Sequence, residues 1–231
     1  MTEFGLFYGF INSIHKKEMT MDSFDQLVQG RRSIRKYTKE IPSEDTILRM
    51  ISCAAMAPSP SNSQVVRFIR IQSETVRNNL QLSLESGYQR FLKCAEGIQN
   101  GKRLRNRINV YKRYSDFIFA APLLFAVGFD TGHSGFSKIL HEAGVLEKDF
   151  RGPIDLDITV GLALKGFILK AETLGIGTCI VSAPFVFIEH MEAILGLTGI
   201  SVRCLMTAGY PDETPTHMER KDPRDIYQVI S

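Results

Sequence analysis

The sequence predicts an α+β fold, a central mixed β-sheet covered by helices. Three observations lead there. "APLLFAVGF", Ala121 to Phe129, is a short, continuously apolar run of β-rich type, the mark of a strand buried on both faces. A long, largely apolar segment, Asp155 to Gly177, is too long for a strand and reads as a central, mostly buried helix. The element order is helices, strand, helices, strand, long helix, strand, helix, strand, which lacks the strict alternation of a doubly wound parallel sheet.

Each element has a local reason. Asp22 is placed to cap a helix carrying Phe24, Leu27 and Val28 at helical spacing, and Gly30 to end it. Ser43 is the predicted N-cap of a second helix. Glu44 and Asp45 suit its dipole, Ile47, Leu48, Ile51, Ala54 and Ala55 form its apolar face, and Pro58 and Pro60 stop it. "PSPSNSQ" is a loop by composition. "VVRFIRIQ", Val65 to Gln72, is a strand with Arg67, Ile69 and Ile71 on one face. Residues 74 to 114 read as helices and 131 to 153 as a loop-rich connection. Gly175 ends the long helix as a C′ glycine. A strand "TCIV", a helix from Pro184 to Leu195 and a strand "VRCLMTAGY" follow. The tail ends in Ile226, Tyr227, Val229 and Ile230, apolar residues that call for a docking place.

Composition narrows the function. The 231 residues are 44% hydrophobic with a formal charge of +3, enough for a sizeable core and too little charge to argue for nucleic acid or membrane. Cys53, Cys94, Cys179 and Cys204 are far apart in apolar stretches, as buried thiols of a reducing cytoplasm are. The apolar N-terminal stretch, residues 1–21, lacks the flanks of a targeting segment and is interrupted by Gly5, Gly9 and Asn12. It is expected to be an arm packed on the domain of residues 22–231 or on a second subunit. No segment reaches transmembrane length, and a cytoplasmic protein is expected.

The motifs of the common hydrolases and zinc proteases are missing, and His15, His133, His141, His190 and His217 lack the spacing of metal ligands. Gly175-Ile176-Gly177 follows a helix, whereas a dinucleotide fingerprint follows a strand. The chemistry concentrates instead in "QGRRSIRKYTKEIP". Arg31, Ser33 and Arg35 alternate, so in an extended chain they share a side and could grip one phosphate. A solvated helix end, its cations facing the dipole, fits this stretch equally well. The clusters at 31–39 and 102–113 with Tyr37, Tyr111 and Tyr114 interleaved also suggest a nucleic-acid stripe, but no recognised module accompanies them. The Ser/Asn loop before the first strand offers hydroxyls and amides to a heterocycle's edge.

Together these stretches resemble the FMN-dependent nitroreductase family. "RRSIRKY" is similar to its Arg-x-Ser-x-Arg/Lys element. "AAMAPSPSNSQVVRFIRI" is similar to its A-P-S-x-x-N-x-Q-P-W stretch, "LGIGT" to its L-G-L-G-T helix end, and "GYPDETP…ERKD" to its closing G-Y-P-x-E-x-P and basic pair. The four follow in family order from about residue 22 onward. The resemblance implies FMN held by Arg31, Ser33 and Arg35, with Arg32 adding main-chain contacts and Arg220 and Lys221 closing on the phosphate. It implies that Ser59, Pro60, Ser61 and Asn62 approach the flavin from a neighbouring subunit, with Asn62 and Gln64 matching the family's amides. Val181, Ser182 and Ala183 would lie beside the isoalloxazine. An intertwined homodimer is implied, with NADH or NADPH as hydride donor and a nitroaromatic, quinone or similar small molecule as acceptor. Catalysis would need no protein nucleophile. A reductive dehalogenase, a flavin-fragmenting enzyme, or a flavin-binding sensor or store are the alternatives. Val65-Val66 replaces the family's Pro-Trp, Lys165-Gly166 departs from it on the long helix, and residues 88–114 and 131–153 do not align with it.

Overall fold

A computed structural model of the chain describes residues 23–132, 135–149, 151–216 and 218–230. Asp22, the expected arm of residues 1–21, and His15, His133 and His217 lie outside the described residues. The chain divides into two compact units, residues 1–31 and 32–231. The described part of the first is helix α1, Ser23–Gly30, followed by Arg31, whose amide donates to the Leu27 carbonyl at 3.2 Å.

The second unit is built on four strands: β1 (Val66–Arg70), β2 (Leu123–Asp130), β3 (Gly177–Val181) and β4 (Ile200–Gly209), in the order β1-β2-β4-β3. All three pairings are antiparallel. Among the described residues the mixed character of the sheet is confined to one parallel bridge, from Ser33, outside the four strands, to Thr178 of β3. The central strand β2 is buried on both faces, as its uninterrupted apolar run requires. Its odd residues Leu123, Phe125, Val127 and Phe129 face one core, and Leu124 and Ala126 face the other.

Two helices cover the first face. Helix α2, Glu44–Ala55, begins at Ser43, whose hydroxyl accepts from the Thr46 amide at 3.2 Å. The Phe167 ring of the long helix stacks on Phe68 of β1 at 5.3 Å between centroids and meets Phe125 edge-on at 5.7 Å. Gly166 lets the two helices close on each other, since a Cβ there would lie 2.8 Å from the Cys53 carbonyl oxygen. The second face is covered by α3 (Glu74–Glu96) through Leu80 and Leu84, joined by α4 (Gly101–Asp116).

Four segments differ from expectation. The connection 131–153 contains a short helix, α5 (Phe136–Glu142). The long helix, α6 (Gly152–Thr173), ends at Gly175 in the expected left-handed turn, with the Ile176 amide on the Ala171 carbonyl. Its apolar residues are not all buried, however. Leu156, Val160, Ala163, Leu164 and Phe167 face the core, while Ile154, Ile158 and Leu162 form an exposed stripe at one-turn spacing. The expected helix from Pro184 to Leu195 is two single turns, α7 (Pro184–Phe187) and α8 (Met191–Ile194). Ile188 is drawn out in extended geometry to bury its side chain, and His190 is left-handed. Of the four thiols, Cys179 and Cys204 are buried, Cys53 is half-buried, and Cys94 is exposed on α3. The apolar tail residues Ile226, Tyr227, Val229 and Ile230 are also exposed. Among the described residues no helix is long and apolar enough to cross a membrane.

A bulge sets the register of the second half of the sheet. Val127 pairs with Cys204 but Gly128 pairs with Val202, so Arg203 is the extra residue. The parity of β4 therefore flips: Val202 and Leu205 face the same core. Arg203 is turned outward to Asp157 at 2.7 Å and lies over the Phe129 ring at 4.7 Å.

The basic segment is seated on this sheet by its apolar residues. Ile34 donates its amide to the Thr178 carbonyl at 3.0 Å. Its side chain fills the place a Cβ of residue 177 would take, 2.6 Å from Ile34 Cγ1. Gly209 makes the matching room for Pro122 and the Tyr37 ring. We expect Gly177→Ala to destabilise the fold by about 1–3 kcal/mol through overpacking. Urea denaturation should show this, and in a double-mutant cycle Gly177→Ala should cost less in an Ile34→Ala background than in the parent. Equal stability of Gly177→Ala and the parent would contradict the seating.

Burial also gives the fold an alkaline limit. It pushes the Cys204 thiol up to about 12. It raises the Tyr37 phenol as well, since desolvation outweighs the hydrogen bond with Thr207. Both groups stay protonated in the folded chain where they ionise in the unfolded one, so the unfolded state binds fewer protons and stability falls as pH rises. Stability should hold to about pH 8 and decline between about pH 9 and 12, by up to about 1.4 kcal/mol per pH unit for each ionising group. Urea midpoints constant across that window would rule this out.

Candidate active site

Residues 33–38 run extended along the sheet, and their polar groups are committed one by one. The Glu213 carboxylate, from the turn after β4, accepts the amides of Arg35 at 2.5 Å and Lys36 at 3.0 Å. The Asp212 amide donates to the Lys36 carbonyl, and the Thr38 amide to that of Tyr210. The Tyr37 hydroxyl bonds the Ile34 carbonyl and meets Thr207 Oγ1 at 2.7 Å. With its amide taken by Glu213, Arg35 is left with its guanidinium as donor, one nitrogen of which also donates to the Ser33 carbonyl at 3.4 Å.

That guanidinium lies 5.9 Å from the centroid of the Tyr114 ring of α4 and opens into a cavity of about 320 Å³. Tyr111 and Tyr114, one turn apart on α4, and Phe117 line it together with the end of β3, Val181, Ser182 and Ala183. One cation, aromatic walls and a turn of backbone thus face one space, a makeup suited to a flat, anionic ligand.

The loop before β1 carries strain. Ser61, Asn62 and Gln64 all have φ near 50°, a conformation that costs a residue with a side chain about 1–2 kcal/mol. Ser59 Oγ accepts the Gln64 amide at 3.0 Å and Asn62 Oδ1 the Gln64 side chain at 3.2 Å. The Ser63 hydroxyl beside them is buried without a hydrogen-bond partner. Backbone strain and an unsatisfied buried hydroxyl are features that gather at binding loops in proteins generally. Pro60 and Ser61 line a second cavity of about 520 Å³, with Phe129, Phe136 and Arg151 among its walls.

The described geometry brings Arg35 together with Val181, Ser182 and Ala183. It places Ser33 in the bridge to Thr178 and leaves Arg32 half-buried at the start of the second unit. Arg31 belongs to the first unit. Ser59, Pro60, Ser61, Asn62 and Gln64 form the strained loop, away from the Arg35 cavity. Arg220 and Lys221 are exposed on the tail and line neither cavity. Sequence reasoning missed Glu213, although it stands in the quoted "GYPDETP". It noticed Tyr111 and Tyr114 only as rungs of a nucleic-acid stripe. Among the described residues no group of three or more His, Cys, Asp or Glu is placed to hold a metal.

The model of the Nitroreductase family matches residues 28–210, most of the chain. This protein belongs to the nitroreductase family. Within it, the chain is 25% identical over 215 residues to YfhC of Bacillus subtilis, named provisionally as an NAD(P)H nitroreductase, covering 93% of this chain and 95% of that one. A 50-residue stretch is 44% identical to the 5,6-dimethylbenzimidazole synthase of Rhodospirillum rubrum, which is 22% of this chain and 24% of the synthase. Among solved structures, a BluB-like flavoprotein from Clostridium difficile superposes with a TM-score of 0.77 at 21% identity, covering 91% of this chain and all of that one. The NADPH:FMN oxidoreductase from Vibrio harveyi, solved with NAD+, superposes at 0.61 and 19% identity, covering 89% and 78%.

The strained loop of this nitroreductase-family chain yields a direct test. Ser61→Gly removes a left-handed penalty of about 1–2 kcal/mol and adds about 0.5–1 kcal/mol of unfolded-state entropy. The first effect is larger, so the variant should be more stable by about 0.5–1 kcal/mol in urea denaturation. A loss of stability would mean the loop is not strained.

Proposed function

We propose that this protein is an FMN-dependent oxidoreductase that takes hydride from NADH or NADPH and reduces a small acceptor of nitroaromatic or quinone type. The observation that carries the reading is the cavity where the Arg35 guanidinium, the Tyr111 and Tyr114 rings and the Val181–Ala183 turn face one another. FMN when bound supplies the hydride chemistry. Arg35 would hold its phosphate by charge-assisted hydrogen bonds. The tyrosines and Phe117 would wall the ring from water, and the turn would present backbone to the ring's polar edge. Donor and acceptor would share this one cleft and bind in turn, which predicts ping-pong kinetics.

A homodimer belongs to the same proposal. The stripe of Ile154, Ile158 and Leu162, and the tail residues Ile226, Tyr227, Val229 and Ile230, are exposed apolar surface in the single chain. The strained loop Ser59–Gln64 lines a cavity other than that of Arg35, so it would serve a flavin only across an interface. Arg31, Arg32, Ser33, Arg220 and Lys221 are proposed as further phosphate ligands from their motifs alone.

A second reading, a flavin-fragmenting synthase, is favoured by the stretch that is 44% identical to the 5,6-dimethylbenzimidazole synthase. Aerobic product analysis of the reduced protein separates the two, since a synthase consumes its flavin and a reductase recycles it.

Purified protein should be yellow. Arg35→Ala should bind FMN at least tenfold more weakly, and its melting temperature should no longer rise with added FMN as the parent's does. Full flavin retention in Arg35→Ala would remove the phosphate role. In stopped-flow mixing, flavin that stays unbleached with both NADH and NADPH would end the reductase reading.

A further inference from the structure

Helix α4 carries more charge than its own contacts use. It holds six cations, and among the described residues only Lys112 forms ion pairs, with Glu85 at 3.2 Å and Asp116 at 2.7 Å. The others are distributed unevenly. At 3.6 residues per turn, Arg103, Arg107 and Tyr111 at successive four-residue steps, and Tyr114 three further on, share one face. The lower end of that face is the wall of the Arg35 cavity, formed by Tyr111 and Tyr114. Arg107 lies about 6 Å and Arg103 about 12 Å further along the helix axis, at 1.5 Å per residue. Both are exposed, and neither has a carboxylate within ion-pairing distance among the described residues. Lys102 and Arg113 are turned to another side of the helix. Two guanidiniums without a carboxylate partner among the described residues thus form a track that continues the face of the cavity-lining tyrosines along α4.

We propose that Arg103 and Arg107 bind the phosphate groups of the nicotinamide dinucleotide that delivers hydride to this cavity. The inference rests on the oxidoreductase reading above and goes further by assigning donor recognition to residues of α4. A dinucleotide that places its nicotinamide ring against the tyrosines carries its phosphates on a tether beyond the ring, and Arg107 and Arg103 stand about one and two turns of α4 beyond Tyr111. Guanidinium forks match phosphate oxygens in pairs. A small nitroaromatic or quinone carries no phosphate to reach them. Because the track is exposed, its attraction is screened by salt.

The test is calorimetric titration of the flavin-loaded protein with NADP+ and NAD+ at low and moderate salt, for the parent, Arg103→Gln/Arg107→Gln and Lys102→Gln/Arg113→Gln. The parent should bind NADP+ in a salt-dependent manner. The track variant should bind it at least tenfold more weakly with a flatter salt dependence, and the variant of the other face should match the parent. Equal NADP+ affinity in all three proteins, the same loss in both double variants, or no NADP+ binding by the parent would each overturn the proposal. A loss for NADP+ with NAD+ unaffected assigns the track to the 2′-phosphate, and a loss for both assigns it to the pyrophosphate. Dihydronicotinamide riboside, which has no phosphate, should bleach the flavin of the parent and of the track variant at the same rate. Bleaching slowed equally for riboside and dinucleotide in the track variant would show damage to the cavity and overturn the assignment. No bleaching in the parent, with NADP+ binding intact, would sink the oxidoreductase reading and leave the track standing.

Discussion

The candidate site depends on the packing of Ile34 into the space left by Gly177. Five charged residues in nine would ordinarily keep a segment in solvent. One buried isoleucine, 7% exposed, and the half-buried Tyr37 hold this one to the sheet. The contact works only because residue 177 has no Cβ. Once Ile34 is seated, the Thr178 carbonyl can accept its amide, and Glu213 can gather the next two. Arg35 is then the residue whose side chain is left facing the cavity. Polar groups alone would not achieve this, because each exposed hydrogen bond adds only about 0.5–1.5 kcal/mol against water.

The sheet positions the other wall. Its second core, under α3, α7 and α8, holds the end of β3 firmly enough for Val181 to be buried while Ser182 and Ala183 turn into the cavity. The bulge at Arg203 reconciles this face with the first, which packs on α2 and α6. Most of the core residues sit in regular elements, and three of the left-handed residues that carry a side chain, Ser61, Asn62 and Gln64, gather in one loop with an unsatisfied hydroxyl. A chain that tolerates such a loop draws on stability from elsewhere, and binding function is the usual reason.

Much of the fold is legible in the residues, and the exceptions have causes. Ser43 acts as an N-cap and Gly175 as a C′ residue because capping is decided by neighbours three or four positions away. β2 is readable because a strand buried on both faces must be apolar throughout. The split of α7 from α8 is not, because helical spacing from Pro184 to Leu195 is overridden when Ile188 reaches into the core. The all-round apolar character of α6 suggests full burial, whereas in the single chain Ile158 remains 54% exposed, and periodicity cannot say which neighbour covers a helix face. Tyr111 and Tyr114 were visible as residues but not as a cavity wall, since 76 positions separate Arg35 from Tyr111.

By itself, then, the sequence determined the element types, the caps, the central strand and the family, since these rest on patterns a few residues long or on motifs in order. Only the tertiary structure decided which of the cations faces a cavity, which carboxylate anchors them, and which tyrosines stand opposite. Those pairings join residues far apart in the chain, and they exist only once Ile34, Gly177 and the two cores have brought α4, β3 and the basic segment to one place.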